Sequence, residues 1–187
     1  FDAEAAREEV LLRRIGRNEL EVIDLMAAYV AAQRAFRAAD PDGDGVPAFA
    51  AAVISSPGRR DGLYWPPEPG APESPVGDFM ARAAADGYSI DGEDRDPEPF
   101  HGYYFRVLTR QGADAPGGAY DYMVGGRMLA GHALLAFPAA HGDTGVMSFM
   151  VGEAGVIYEA DLGPETLELA AAITAFDPGP GWTPVAD

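Results

Sequence analysis

His101-Gly102-Tyr103-Tyr104-Phe105-Arg106-Val107-Leu108-Thr109 is the stretch in which the chain changes rhythm. Tyr103, Phe105 and Val107 alternate with Tyr104, Arg106 and Leu108, a period of two that places successive side chains on opposite faces of a strand. Further candidates follow it: a short strand at Tyr120–Val124, a long one at Arg127–Phe137 ended by Pro138, and the pair Val146–Val151 and Gly155–Ala160. Gly152-Glu153-Ala154 between that last pair reads as a tight hairpin. Pro164 opens a closing helix over Glu165–Thr174, with Leu167, Ala170, Ala171 and Ile173 as its face. In the tail, Trp182 reads as a packing anchor.

Upstream the period is helical. Asp2 is placed to cap a first segment, Ala3–Arg14, and Gly16 weakens the pattern. Asn18 with Glu21 three residues later has the spacing of a capping box and predicts a restart. Leu20, Ile23, Ala27, Val30 and Ala31 form one stripe, and Val22, Met26, Tyr29 and Phe36 a neighbouring one. An arc this wide predicts a helix lying deep against the rest of the molecule. Asp40-Pro41-Asp42-Gly43-Asp44-Gly45 ends it. Short helices are expected at about Ala48–Ile54 and Val76–Ala85, in a region rich in proline and glycine whose loop is anchored by Tyr64 and Trp65.

Helices first, then an antiparallel meander, then a helix argue for the α+β class, with the long helix laid across one sheet face. A single domain over 1–187 is expected: a helical part (1–45), a loop-rich part with short helices (46–100), and the sheet with its closing helix (101–187).

Composition narrows function. The 187 residues carry 30 acidic against 13 basic side chains, a formal charge of −17, and every basic residue is arginine. Such a surface repels phosphate backbones and anionic lipid, so nucleic acid and membranes are poor partners. There is no cysteine, which removes disulfides and thiol chemistry. No apolar run approaches the roughly 18 residues of a membrane helix. Phe1 in place of a start methionine implies processing or a fragment.

One local motif suggests a metal. Asp40, Asp42 and Asp44 followed by Gly45 open like an EF-hand loop, with the Val46 carbonyl as the next ligand. Position nine is Ala48, and position twelve, which should be a bidentate glutamate, is Ala51. Calcium binding is therefore expected to be weak, and the plainer reading is a polar turn whose aspartates bond their own backbone. No other cofactor is indicated.

The histidines, His101, His132 and His141, have no ligand spacing. His132 sits in an apolar stretch and reads as a core or sheet-face residue. His101 is expected at a sheet edge near the acidic Asp91–Glu98 loop. No serine stands in a nucleophile elbow, and Gly117-Gly118 and Gly125-Gly126 read as turns. Tyr64, Trp65, Tyr103, Tyr104, Tyr120 and Tyr122, with His101, are candidates for a ligand or partner surface, against the alternative of packing under loops.

Five segments resemble a known family. They are Arg13-Arg14-Ile15-Gly16-Arg17-Asn18-Glu19-Leu20, Asp61-Gly62-Leu63-Tyr64-Trp65-Pro66, the His101–Thr109 stretch, Pro116-Gly117-Gly118-Ala119-Tyr120-Asp121-Tyr122-Met123-Val124, and Ala175-Phe176-Asp177-Pro178. Together they resemble the bacterial exported family described as domain of unknown function 2950, from near Phe1 to the tail. The resemblance implies an exported, periplasmic or extracellular protein of a Gram-negative-type envelope, of which this chain is the C-terminal portion. It supplies no catalytic residues. The element order is also similar to the globular part of pilins and pseudopilins. These readings favour a non-enzymatic structural or interaction module, meeting a protein partner or its own copies. A calcium- or ligand-binding module is the alternative, and an envelope hydrolase ranks last.

Overall fold

The structure, a computed structural model, describes residues 3–41, 43–85, 87–89 and 94–186, with backbone alone at 88, 89, 94 and 95. Helix α1 (Ala3–Ala39) is one rod of 37 residues, about 55 Å long at 1.5 Å per residue. It does not break at Gly16, where an added Cβ would meet nothing within 4 Å. A lone glycine costs a helix only about 1 kcal/mol, too little to end a rod whose next turns pack through Ile15, Val22 and Met26. The expected restart at Asn18 is therefore corrected. The Asn18 amide donates to Thr144 O at 2.8 Å, and the neighbouring Glu19 carboxylate accepts from the N–H groups of Val146 and Met147 at 2.9 and 3.0 Å. These side chains reach across to another part of the chain and cap no helix start at this point. The Asp2 cap lies outside the described residues.

The buried face of α1 is Ile15, Val22, Met26, Tyr29, Val30, Gln33 and Phe36. Most of these recur at steps of three and four, the spacing of one helical stripe. The second predicted stripe is thus the core face. Of the first, Val30 is buried, whereas Leu20 is 66% exposed. Asp40 ends the helix with φ 44, its N–H donating to Phe36 O at 3.2 Å.

Among the described residues, the central sheet has strand order β11-β10-β9-β8-β3, made of β3 (Tyr103–Leu108), β8 (Ala133–Pro138), β9 (Met147–Gly152), β10 (Ile157–Asp161) and β11 (Thr183–Pro184). All of its pairings are antiparallel. Alternation along β8 sends Leu134 and Ala136 into the cluster beneath α1, with Tyr103, Phe105, Phe149 and Val151. Leu135 and Phe137 go to the other face, with Met150, Phe176 and Ala170 of helix α3 (Thr166–Ala172). A strand covered on both faces has no polar side, which is why β8 reads as a continuous apolar run. The helix-on-sheet α+β arrangement expected from the sequence is the observed one, with α3 closing it.

Three local expectations are corrected. Ala48–Ile54 is not helical, because its N–H groups are taken elsewhere: Phe49 donates to Met128 O at 2.8 Å and Ala50 to the Gln33 side chain at 2.9 Å. Arg127–Phe137 is not one strand. Residues 127–128 form β7 and the next strand begins at Ala133, because the N–H groups of Leu129 and Ala130 both turn to Tyr122 O. Tyr120–Val124 likewise divides into β5 (Tyr120–Asp121) and β6 (Met123–Val124), as Asp121 accepts from Met123 N–H at 2.7 Å. The two form ribbons with β4 (Arg110–Gln111) and β7.

Helix α2 occupies only Asp78–Arg82 of the 76–85 stretch. In α3, Thr166 and Ala170 face inward and Leu167 is exposed. The remaining short ribbon pairs β1 (Tyr88–Ser89) with β2 (Asp94–Arg95). Beside it, Ala83 O and Ala85 N–H bond Phe105 and cover the outer edge of β3 there.

Candidate functional site

A groove of about 1010 Å³ lies between the 44–54 segment and the 55–68 loop. Both walls are held from behind. On one side, Gln33 exchanges two hydrogen bonds with Ala50, each 2.9 Å, and also donates to Tyr29 Oη at 3.0 Å. Tyr29 in turn donates to Ala133 O at 3.0 Å, so the wall is fastened through α1 to the sheet. Burial pushes the Tyr29 phenol far above its ordinary pKa, so it stays a donor.

The other wall begins with Ser56-Pro57-Gly58-Arg59. Proline at the second position, glycine with φ 72 at the third, and Arg59 N–H donating to Ser56 O at 2.9 Å make a type II turn. Asp61 accepts from Ser56 N–H at 2.7 Å and Ser55 Oγ from Gly62 N–H at 3.0 Å. Gly62 is required: an added Cβ would stand 2.5 Å from the Ile54 carbonyl carbon. Leu63 and Tyr64 then pair back to Ala52 and Val53. Trp65 donates its indole N–H to Pro72 O at 2.9 Å.

Arg59, Arg60 and Arg127 line the groove, as do Asp44, Asp61 and Glu68. Cations and anions are matched here, in a chain where acids outnumber bases 30 to 13. Arg127 pairs with Asp44 at 2.5 Å, whereas Arg59–Asp61 and Arg60–Glu68 are 3.7 and 3.6 Å apart. The Arg60 guanidinium lies 6.0 Å from the Trp65 ring centroid.

The candidate residues read from the sequence are scattered relative to this groove. Tyr64 and Trp65 line it, though almost fully buried. Tyr120 and Tyr122 line a separate groove of about 320 Å³ with Glu153 and Phe176. Tyr103 is buried under α1 and donates to Met147 O at 2.8 Å, and Tyr104 packs on Phe137 across the sheet. His101 stands in a left-handed turn (φ 48) with its ring edge-on to Phe100 at 4.2 Å. Residues 91–93 of the acidic loop expected beside it lie outside the described residues.

The acidic turn bonds itself: Gly45 N–H donates to Asp40 at 2.9 Å and Val46 N–H to Asp44 at 2.8 Å. Asp42 lies outside the described residues. Among those described, no cluster of three or more histidine and carboxylate side chains is arranged to hold a metal.

The histidines are far apart in role. His132 is wholly buried against Tyr29 and Phe49, and neither ring nitrogen has a partner among the described residues. Burial, helped by the charge of Arg34, lowers its pKa from 6.5 to about 4, so the ring is neutral. His141 meets Asp161 at 2.8 Å in a half-exposed pair that the sequence reading missed. The Gly163 N–H first, then His141, hold the Asp161 carboxyl below its usual range. No histidine lines the main groove beside Ser55 and Ser56.

Fold and groove together define an α+β module in which one long helix braces a sheet and loops build a charge-matched cleft beside it. The chain belongs to the family described as Protein of unknown function (DUF2950), whose model matches residues 1–185. No curated protein and no solved structure matches it. Among the described residues, no helix is long and apolar enough to cross a membrane.

Proposed function

We propose that this chain is a non-enzymatic binding module of the bacterial cell envelope, exported to the periplasm or beyond, and that the groove beside Trp65 receives its ligand. One observation carries the reading: a cleft of about 1010 Å³ with both walls fastened by buried or loop-closing hydrogen bonds. A cavity shaped in advance is what a binding site needs, because little ordering remains to be done on association. Its lining favours binding over hydrolysis, since its serines have no histidine beside them. The export assignment rests on the family resemblance.

The test uses the indole of Trp65 as reporter, in the otherwise unchanged Trp182→Phe chain. Short acidic, neutral and basic peptides are titrated against it. A saturable change in emission, abolished when Ala52→Phe fills the cleft, supports the reading. No saturable change with any peptide at millimolar concentration sinks it.

A further inference from the structure

We infer that the groove takes a short peptide by its carboxylate, gripped by Arg59 and Arg60, with the peptide's apolar side chains on the floor. The inference rests on the binding reading above and adds the ligand class.

The guanidiniums are the starting point. The type II turn at Ser56–Arg59 sets two consecutive arginines on one wall. Their acidic neighbours stand 3.7 and 3.6 Å away, beyond hydrogen-bond distance. Asp61 accepts from Ser56 N–H through Oδ1, which fixes the carboxylate to the loop with its Oδ2 3.7 Å from Arg59. Neither guanidinium donates a hydrogen bond to a described residue. Two planar forks with unused N–H donors, one of them above an indole ring, suit bidentate capture of a carboxylate.

Charge selects further. The chain as a whole is strongly anionic and repels anions, whereas arginines and acids are equal in number along the groove. A ligand with a single acid group on an otherwise neutral body fits that balance better than a polyanion. The aromatic residues decide between peptide and sugar. Trp65 is 5% exposed with its N–H already bonded, and Tyr64 is equally covered. Neither offers a free ring face for a sugar to stack on. The apolar lining that remains accessible is Ala51, Ala52, Ile54 and Pro66, suited to small aliphatic side chains.

The experiment compares acetyl-Leu-Ala-Leu as the free acid with the same peptide as its C-terminal amide. Trp65 emission in the Trp182→Phe chain is the readout, and thermal denaturation of the unaltered chain with each peptide is the second. The acid is expected to bind at least tenfold more tightly than the amide. Arg59→Gln, at a side chain 73% exposed and outside the core, and Arg60→Gln should each shrink that ratio toward one. Equal binding of acid and amide, unchanged in both variants, overturns the carboxylate assignment and leaves the groove reading standing. Absence of binding by either peptide, in both readouts, overturns both.

Discussion

Gln33 and Ala50 are joined as two strands would be: the side-chain amide donates to the Ala50 carbonyl and accepts from its N–H, both at 2.9 Å. A glutamine fully buried in a helix–loop contact thus replaces a backbone ladder, and the groove wall hangs from it. Gln33→Leu keeps the volume and leaves both polar groups of Ala50 and the Tyr29 hydroxyl short of a partner. The expected loss is about 2–4 kcal/mol of stability, since buried unsatisfied groups cost about 1–3 kcal/mol each and part of the cost relaxes. Urea unfolding measures it, and a change under ~0.5 kcal/mol would remove the pairing from the account.

Glu19 offers a graded test at the other docking point. Its carboxylate receives two adjacent N–H groups, those of Val146 and Met147. Glu19→Ala should cost about 1–3 kcal/mol. Glu19→Gln keeps an acceptor oxygen and should recover more than half of that. Equal losses for the two variants would show that the charge matters, and that neither the accepting oxygen nor the side-chain stem does.

His132 predicts an acid sensitivity. The unfolded chain takes a proton below about 6.5, while the folded ring stays neutral down to about 4. Between those values the unfolded state binds more protons, so stability rises with pH and is lost as pH falls through the window. The ring alone should remove about 3 kcal/mol by pH 4. His132→Phe, set between Tyr29 and Phe49, should flatten the difference between urea midpoints at pH 7 and pH 4.5. Parallel pH profiles for the two chains would refute it.

Calcium should bind no more tightly than about millimolar, the weak end for oxygen-ligand loops. Asp40 and Asp44 already serve their own turn, and Arg127 neutralises Asp44. Arg127→Ala should tighten the affinity by releasing that carboxylate. Calorimetry on the metal-free protein decides, and a dissociation constant below ~100 µM in the unaltered chain would contradict the expectation.

What was legible in the sequence followed from periodicity and turn chemistry. The rhythm of Tyr103–Leu108 located β3, and the glycine-bearing turn after Gly152 located the β9–β10 hairpin. The failures share a cause: a backbone group claimed by a residue distant in sequence. Alanine-rich Ala48–Ile54 has helical propensity, but Met128 and Gln33 take its N–H groups. Tyr122 O breaks the apolar run before His132. At the site, Tyr64 and Trp65 were visible as loop anchors. Arg59 and Arg60 passed unremarked, although a Ser-Pro-Gly turn followed by two of the chain's 13 cations was the available signal.

The long helix is clamped at two separated stations, Asn18–Glu19 against the loop before β9 and Gln33 against Ala50. Those stations are about 22 Å apart along its axis. Tension applied at Ala3 would meet the first clamp before it reached the second. The grip on residues 144–147 would slip first, and the cleft would keep its shape under a load that had already begun to peel the rod from the sheet.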